Sequence, residues 1–107
     1  MKTKMILSAA LASGLLLGAG SSIALDGAQL YQTKTCFSCH GKDAKTPIMP
    51  LYPKLAGQNA AYAAQQMKDI KSGARSNGQT AAMKGIMHLV NEEEMAAMAK
   101  YLSGLAP

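Results

Sequence analysis

Cys36-Phe37-Ser38-Cys39-His40 is the stretch from which the rest of the chain is read, and it holds both cysteines of the 107 residues. Two thiols three positions apart, with a histidine directly after the second, form the attachment signature of c-type haem. Each thiol can add across one vinyl group of a porphyrin. The two residues between them let the backbone turn beneath the ring, and His40 points an imidazole nitrogen at the iron. Gly41 lets the chain leave the crowded ring edge without a side chain. A bare Cys-x-x-Cys also serves thioredoxin-like redox pairs, zinc sites and structural disulfides. Zinc would need two further ligands, and beyond the motif the sequence offers no cysteine and one histidine, His88. A thioredoxin-like pair belongs beside a strand–helix unit, and no strand pattern is evident. One covalent haem is the reading that uses all three residues.

The start of the chain reads as a targeting segment. Lys2 and Lys4 precede an apolar run from Met5 to about Ala19, and Ser22-Ile23-Ala24 supplies small residues for a signal peptidase. Residues 1–24 are therefore expected to be a signal peptide, with Leu25 to Pro107 as one domain. An uncleaved anchor is the alternative, but Ser8, Ser13, Gly14 and Gly18 interrupt the run. No second run could span a bilayer, so no stable membrane insertion is expected after cleavage. Export to the periplasm agrees with the motif, because covalent haem attachment in bacteria takes place outside the cytoplasmic membrane. A domain this short buries a modest core. Haem would supply the missing apolar volume, so the haem-free chain is expected to be largely unfolded. Removing Lys2 and Lys4 lowers the formal net charge from +5 to +3. Without a basic run or aromatic clusters, that balance argues against nucleic acid as a partner.

Helical periodicity organises the rest. Asp26 is placed to cap a short helix bearing Ala28, Leu30 and Tyr31, with Gly27 permitting close approach by another helix. Thr46 to Pro53 holds three prolines and must be irregular. Asn59 caps an amphipathic helix with Tyr62, Gln66, Met67 and Ile70 at helical spacing and Gly73 as its stop. A polar connection runs to Thr80, and a short turn or helix covers Ala81 to Met87. Asn91 with Glu94 forms a capping box for a last helix whose stripe is Met95, Met98, Ala99 and Leu102, ending at Gly104.

The second axial position on the iron calls for a soft or nitrogenous donor, or stays open. Met95 and Met98 read as core, Met67 lies within the middle helix, and Met49 is close to the cysteine loop. Met83 and Met87 both lie where the chain can return across a porphyrin, and pattern alone leaves the two open. His88 is a further candidate, for which a surface imidazole is the ordinary explanation.

At this point the chain resembles a known family, the small bacterial monohaem class I cytochromes c, and is similar to a single domain of the dihaem proteobacterial cytochromes. Besides Cys36–His40, the resemblance rests on Pro53-Lys54-Leu55-Ala56-Gly57-Gln58, on Tyr62 through Gly73-Ala74-Arg75, on Met83-Lys84-Gly85-Ile86 followed by Val90 to Met95, and on Ala99-Lys100-Tyr101-Leu102. It implies an all-α class I cytochrome c fold, three main helices plus short turns around one covalently bound haem. It assigns residues 25–107 to that domain. Aligned on Val90, which stands where the family usually has Leu, it implies that Met83 and His40 are the axial ligands. It further implies that the Pro53 carbonyl accepts the second imidazole N–H of His40. Gly27 and Tyr31 would cross the last helix near Met98 and Tyr101, which puts Tyr31 with Pro53, Cys36 and Cys39 among the cofactor-binding residues.

The function so implied is single-electron transfer between respiratory-chain or dehydrogenase donors and terminal acceptors, not enzyme catalysis. Lys34, Lys42, Lys45, Lys54 and Lys84 flank the attachment loop, with Asp43 the only acid among them. Such a rim would steer an acidic redox partner, although solubilising lysines look the same. Two rivals remain at this stage. One is a haem subunit of a sulfur-compound dehydrogenase or similar complex; the other is a sensing haem protein with an open sixth site. Both thiols are spoken for, so a nucleophilic enzyme does not fit.

Overall fold

The computed structural model describes residues 24–107, so the leader expected over residues 1–24 lies outside the described residues except for Ala24. Five helices follow in chain order: α1 (Gly27–Thr33), α2 (Phe37–His40), α3 (Ala60–Ser72), α4 (Thr80–Met87) and α5 (Glu92–Ser103). There is no strand among the described residues. None of these helices is long and apolar enough to cross a membrane.

The expected caps form. Asp26 Oδ1 accepts from the Gln29 amide at 3.1 Å, and Asn59 Oδ1 accepts from that of Tyr62 at 3.0 Å. At α5, Asn91 Oδ1 takes the Glu94 amide at 2.8 Å while Glu94 Oε1 takes the Asn91 amide at 2.9 Å. Each bond satisfies an amide that the first helical turn leaves unpaired. Gly73 ends α3 in the left-handed region at φ 92°. α4 differs: Gln79 stands at its cap position with no side-chain bond.

α5 packs against both α1 and α3, and α4 packs on α3. At the α1–α5 crossing, a Cβ on Gly27 would fall on the carbonyl oxygen of Ala97 and on the Cβ of Tyr101. Only glycine lets the two backbones come this close. Met67, Ile70, Met87, Val90, Met95, Met98 and Ala99 form one buried cluster; Tyr31, Ala44 and Leu102 form a second.

Two local readings need correction. The cysteine loop is itself a helical turn, with the His40 amide donating to the Cys36 carbonyl at 3.1 Å. The four-residue element is too short for periodicity to reveal. Tyr62, expected on the buried stripe of α3, is exposed, leaving Met67 and Ile70 as the buried residues of that helix.

Candidate functional site

Cys36, Cys39 and His40 line one cavity of about 340 Å³. α2 supplies Cys39 and His40, and Cys36 is its N-cap residue. From α3 come Met67 and Ile70, from α4 Met83, Ile86 and Met87, and from α5 Met98 and Leu102. Both thiols are free, neither is fully exposed, and each opens on this space. The Cys36 sulfur lies 3.9 Å from that of Met98. Burial pushes the Cys36 thiol up to about 11, against a lowering by its own backbone and with a further rise from Cys39.

His40 is buried, and its Nδ1 stands 2.9 Å from the Pro53 carbonyl oxygen. A carbonyl can only accept, so Nδ1 carries the proton and Nε2 keeps its lone pair. Burial lowers the imidazole pKa, opposed by the bond to Pro53. The ring is thus held neutral, in the tautomer a metal requires. Tyr52 stands beside it, ring centroids 6.3 Å apart.

The loop that brings Pro53 to this ring folds back on residues 39–44. Ile48 N–H donates to Cys39 at 3.0 Å, and the Ala44 carbonyl accepts from both Leu55 (2.7 Å) and Ala56 (3.0 Å). Ala44 is fully buried at φ 60°, a conformation alanine rarely adopts. Thr35, between α1 and α2, is also left-handed at φ 64°. Strained residues on either side of the motif are what a site that over-determines its backbone tolerates. Neither was legible in the sequence, where glycine would be the signal. Tyr31 donates its hydroxyl to the Gly41 carbonyl at 2.6 Å, lines the cavity, and stacks tilted on Tyr101 at 5.8 Å. Burial, with smaller contributions from Cys36, Tyr101 and Asp43, raises its pKa well above the ordinary phenol value.

Four methionines line the cavity, more than the sequence suggested: Met67, Met83, Met87 and Met98. Met67, Met87 and Met98 are members of the buried core cluster, whereas Met83 is partly buried and packs at its edge. Met49 is exposed and His88 is an exposed C-cap residue; neither lines the cavity. Among the described residues no three His, Cys, Asp or Glu side chains converge as a group that could hold a metal ion.

The rim of expected lysines is only partly realised. Lys54 lines the cavity. Lys34 is drawn off it, 3.5 Å from Glu94 and donating to the Leu89 carbonyl at 2.8 Å. The Asp43 carboxylate turns into its own loop and accepts from the Lys45 and Thr46 amides and the Thr46 hydroxyl. These bonds hold its pKa below the usual carboxylate value, the Lys45 amide most of all.

An apolar, concave space with two thiols and one neutral imidazole on its wall fits a covalently attached porphyrin, and the comparisons agree. The family described as "Cytochrome c" matches residues 24–106. The chain is 33% identical over 93 residues to cytochrome c-553 of Nitratidesulfovibrio vulgaris, covering 87% of this chain and 89% of that protein. It is 36% identical over 89 residues to a thiosulfate dehydrogenase electron acceptor of Stutzerimonas stutzeri, covering 77% of this chain and 40% of that one. The crystal structure of reduced recombinant cytochrome c4 from Pseudomonas stutzeri superposes with a TM-score of 0.66 at 31% identity, covering 75% of this chain and 46% of that chain. The chain thus spans less than half the length of the last two. With the all-helical fold and the cysteine–histidine turn already established, the match along residues 24–106 makes this chain a member of the cytochrome c family, of the class I fold, whose cofactor is covalent haem c.

Proposed function

We propose that the protein is a periplasmic electron carrier, with Cys36 and Cys39 bonded to haem c and with His40 and Met83 as the axial ligands. The observation that carries the ligand assignment is the division among the cavity methionines. Met67, Met87 and Met98 are built into the buried cluster, and Met83 at its edge is the thioether free to engage a group in the cavity.

Held by Cys36, Cys39, His40 and Met83, bound haem would supply a one-electron couple at iron. The chain's own residues do the rest. Pro53 holds the His40 ring in one tautomer and orientation. Tyr31 ties the turn after His40 to α1. Met67, Ile70, Met98 and Leu102 make an apolar part of the cavity wall, and low polarity around an iron site is a lever on its potential. A carrier needs little rearrangement between redox states, and a wall anchored on three helices provides that rigidity.

Around the mouth, the segment between Pro47 and Pro53 exposes Ile48 (64%) and Leu51 (71%), and Leu51 also lines the cavity. Lys42, Lys45 and Lys54 lie in the same stretch of chain. A protein partner with an acidic rim and a small apolar centre suits this face. A dehydrogenase-associated role is the second reading, favoured by the Stutzerimonas relative named as an electron acceptor for thiosulfate dehydrogenase.

The test is an absorption spectrum of haem-loaded protein. Wild type is expected to show the far-red band of thioether bonded to ferric iron. Met83→Ala should lose it, and Met87→Ala should keep it while costing about 2–5 kcal/mol of stability as a core truncation. A band that survives Met83→Ala refutes the assignment. Carbon monoxide binding to the wild-type ferrous protein would favour an open-site sensor.

A further inference from the structure

We propose that Lys71 and Lys34 act as a two-sided clasp that positions α4, and with it Met83, against the cavity; this rests on reading Met83 as an axial ligand. The Lys71 ammonium donates to the Val90 carbonyl at 2.5 Å, and the Lys34 ammonium donates to the neighbouring Leu89 carbonyl at 2.8 Å. The two lysines come from different helices, Lys71 from the last turn of α3 and Lys34 from the C-cap of α1. Both reach the short joint between α4 and α5. Lys71 is half-buried there, and Lys34 is steadied by Glu94 in the first turn of α5.

The joint is where α4 most needs support. At its other end α4 has no side-chain cap, and a run of bends and turns precedes it. The stretch from Gly73 holds two positive-φ glycines, and a side chain on Gly78 would meet open space. Along its length α4 packs on α3. It is held by buried Thr80 at its start, by buried Met87 at its end, and by Val90 and the two bonded carbonyls just beyond Met87. Those carbonyls lie in the joint itself, past the last residue of α4, and an ammonium is a strong donor to a backbone carbonyl. Met83 lies about one turn before Met87 on the same helix, so a tilt of α4 about a loosened joint moves its thioether away from the cavity. A charge-assisted bond to a partly shielded carbonyl is strong enough to bias that tilt.

The experiment uses haem-loaded ferric protein and imidazole as a probe that competes with the thioether. Lys71→Met keeps the aliphatic stem and removes the donor. Its apparent imidazole affinity should rise about tenfold, the population shift expected from one lost charged hydrogen bond. Lys34→Met should move it in the same direction, Lys71→Arg should restore the wild-type value, and Lys100→Met, outside the clasp, should leave it unchanged. If wild type shows the far-red thioether band and Lys71→Met binds imidazole no more tightly, the clasp is refuted while the ligand assignment stands. A lowered urea midpoint with unchanged imidazole affinity refutes it equally, since that is mere stabilisation. A wild-type protein without the band removes the ligand assignment and the clasp together.

Discussion

Ala44 shows how much a single buried residue carries here. Its methyl group is fully enclosed, its φ is 60°, and its carbonyl takes two amides from the segment that delivers Pro53 to His40. Valine at this position would put a β-branched side chain in a left-handed conformation and overfill the space. Ala44→Val is therefore expected to destabilise the protein by about 2–4 kcal/mol. Because the Pro53 carbonyl would shift with the loop, the reduction potential should move as well; urea unfolding and redox titration check the two effects. At the same scale, the Cys-x-x-Cys-His motif and the capping residues were readable directly, because each acts through local geometry. Ala44 was not, because its conformation is fixed by bonds to Leu55 and Ala56 further along the chain, and Thr35 was not, because nothing but a glycine would have signalled its positive φ.

At the scale of elements, the α1–α5 crossing depends on one missing side chain. Gly27→Ala would drive a methyl into the Ala97 carbonyl and the Tyr101 Cβ. A backbone atom cannot swing aside as a side-chain tip can, so the loss should be at the upper end of about 1–3 kcal/mol, read as a lower thermal midpoint. The periodicity of α5 named its buried face residue by residue: Met95, Met98, Ala99 and Leu102 are all buried. For α3 the same periodicity misplaced Tyr62, which stands at the cavity instead of within the core. A helix bordering a cofactor cavity has apolar residues that face the cavity and apolar residues that face other helices, and spacing alone does not separate them.

For the whole molecule, the cavity sits between clusters that are small on their own. Much of the wall, including Met67, Ile70, Met98 and Leu102, belongs to the same side chains that make the core. The haem-free chain is accordingly expected to lose most of its helical circular dichroism, and covalent attachment to restore it. A haem-free chain with native helicity would contradict this. Electrostatics also belongs at this scale. If Lys42, Lys45 and Lys54 steer an acidic partner, the electron-exchange rate should fall as ionic strength rises and the screening length shrinks below about 10 Å. A flat salt profile would leave the apolar Ile48–Leu51 face as the whole of the docking surface.

What the sequence determined by itself was chemistry encoded in short spacings: a Cys-x-x-Cys-His motif of the haem-attaching kind over Cys36–His40, helices with named caps, and a buried stripe on the last of them. These follow from interactions within a few residues, so local order suffices to state them. Tertiary structure alone decided which methionines share the cavity, that Lys34 leaves the rim to grip the α4–α5 joint, and that Ala44 must be buried in a left-handed turn. Each of those depends on segments distant in sequence meeting in space, and no local pattern records that meeting.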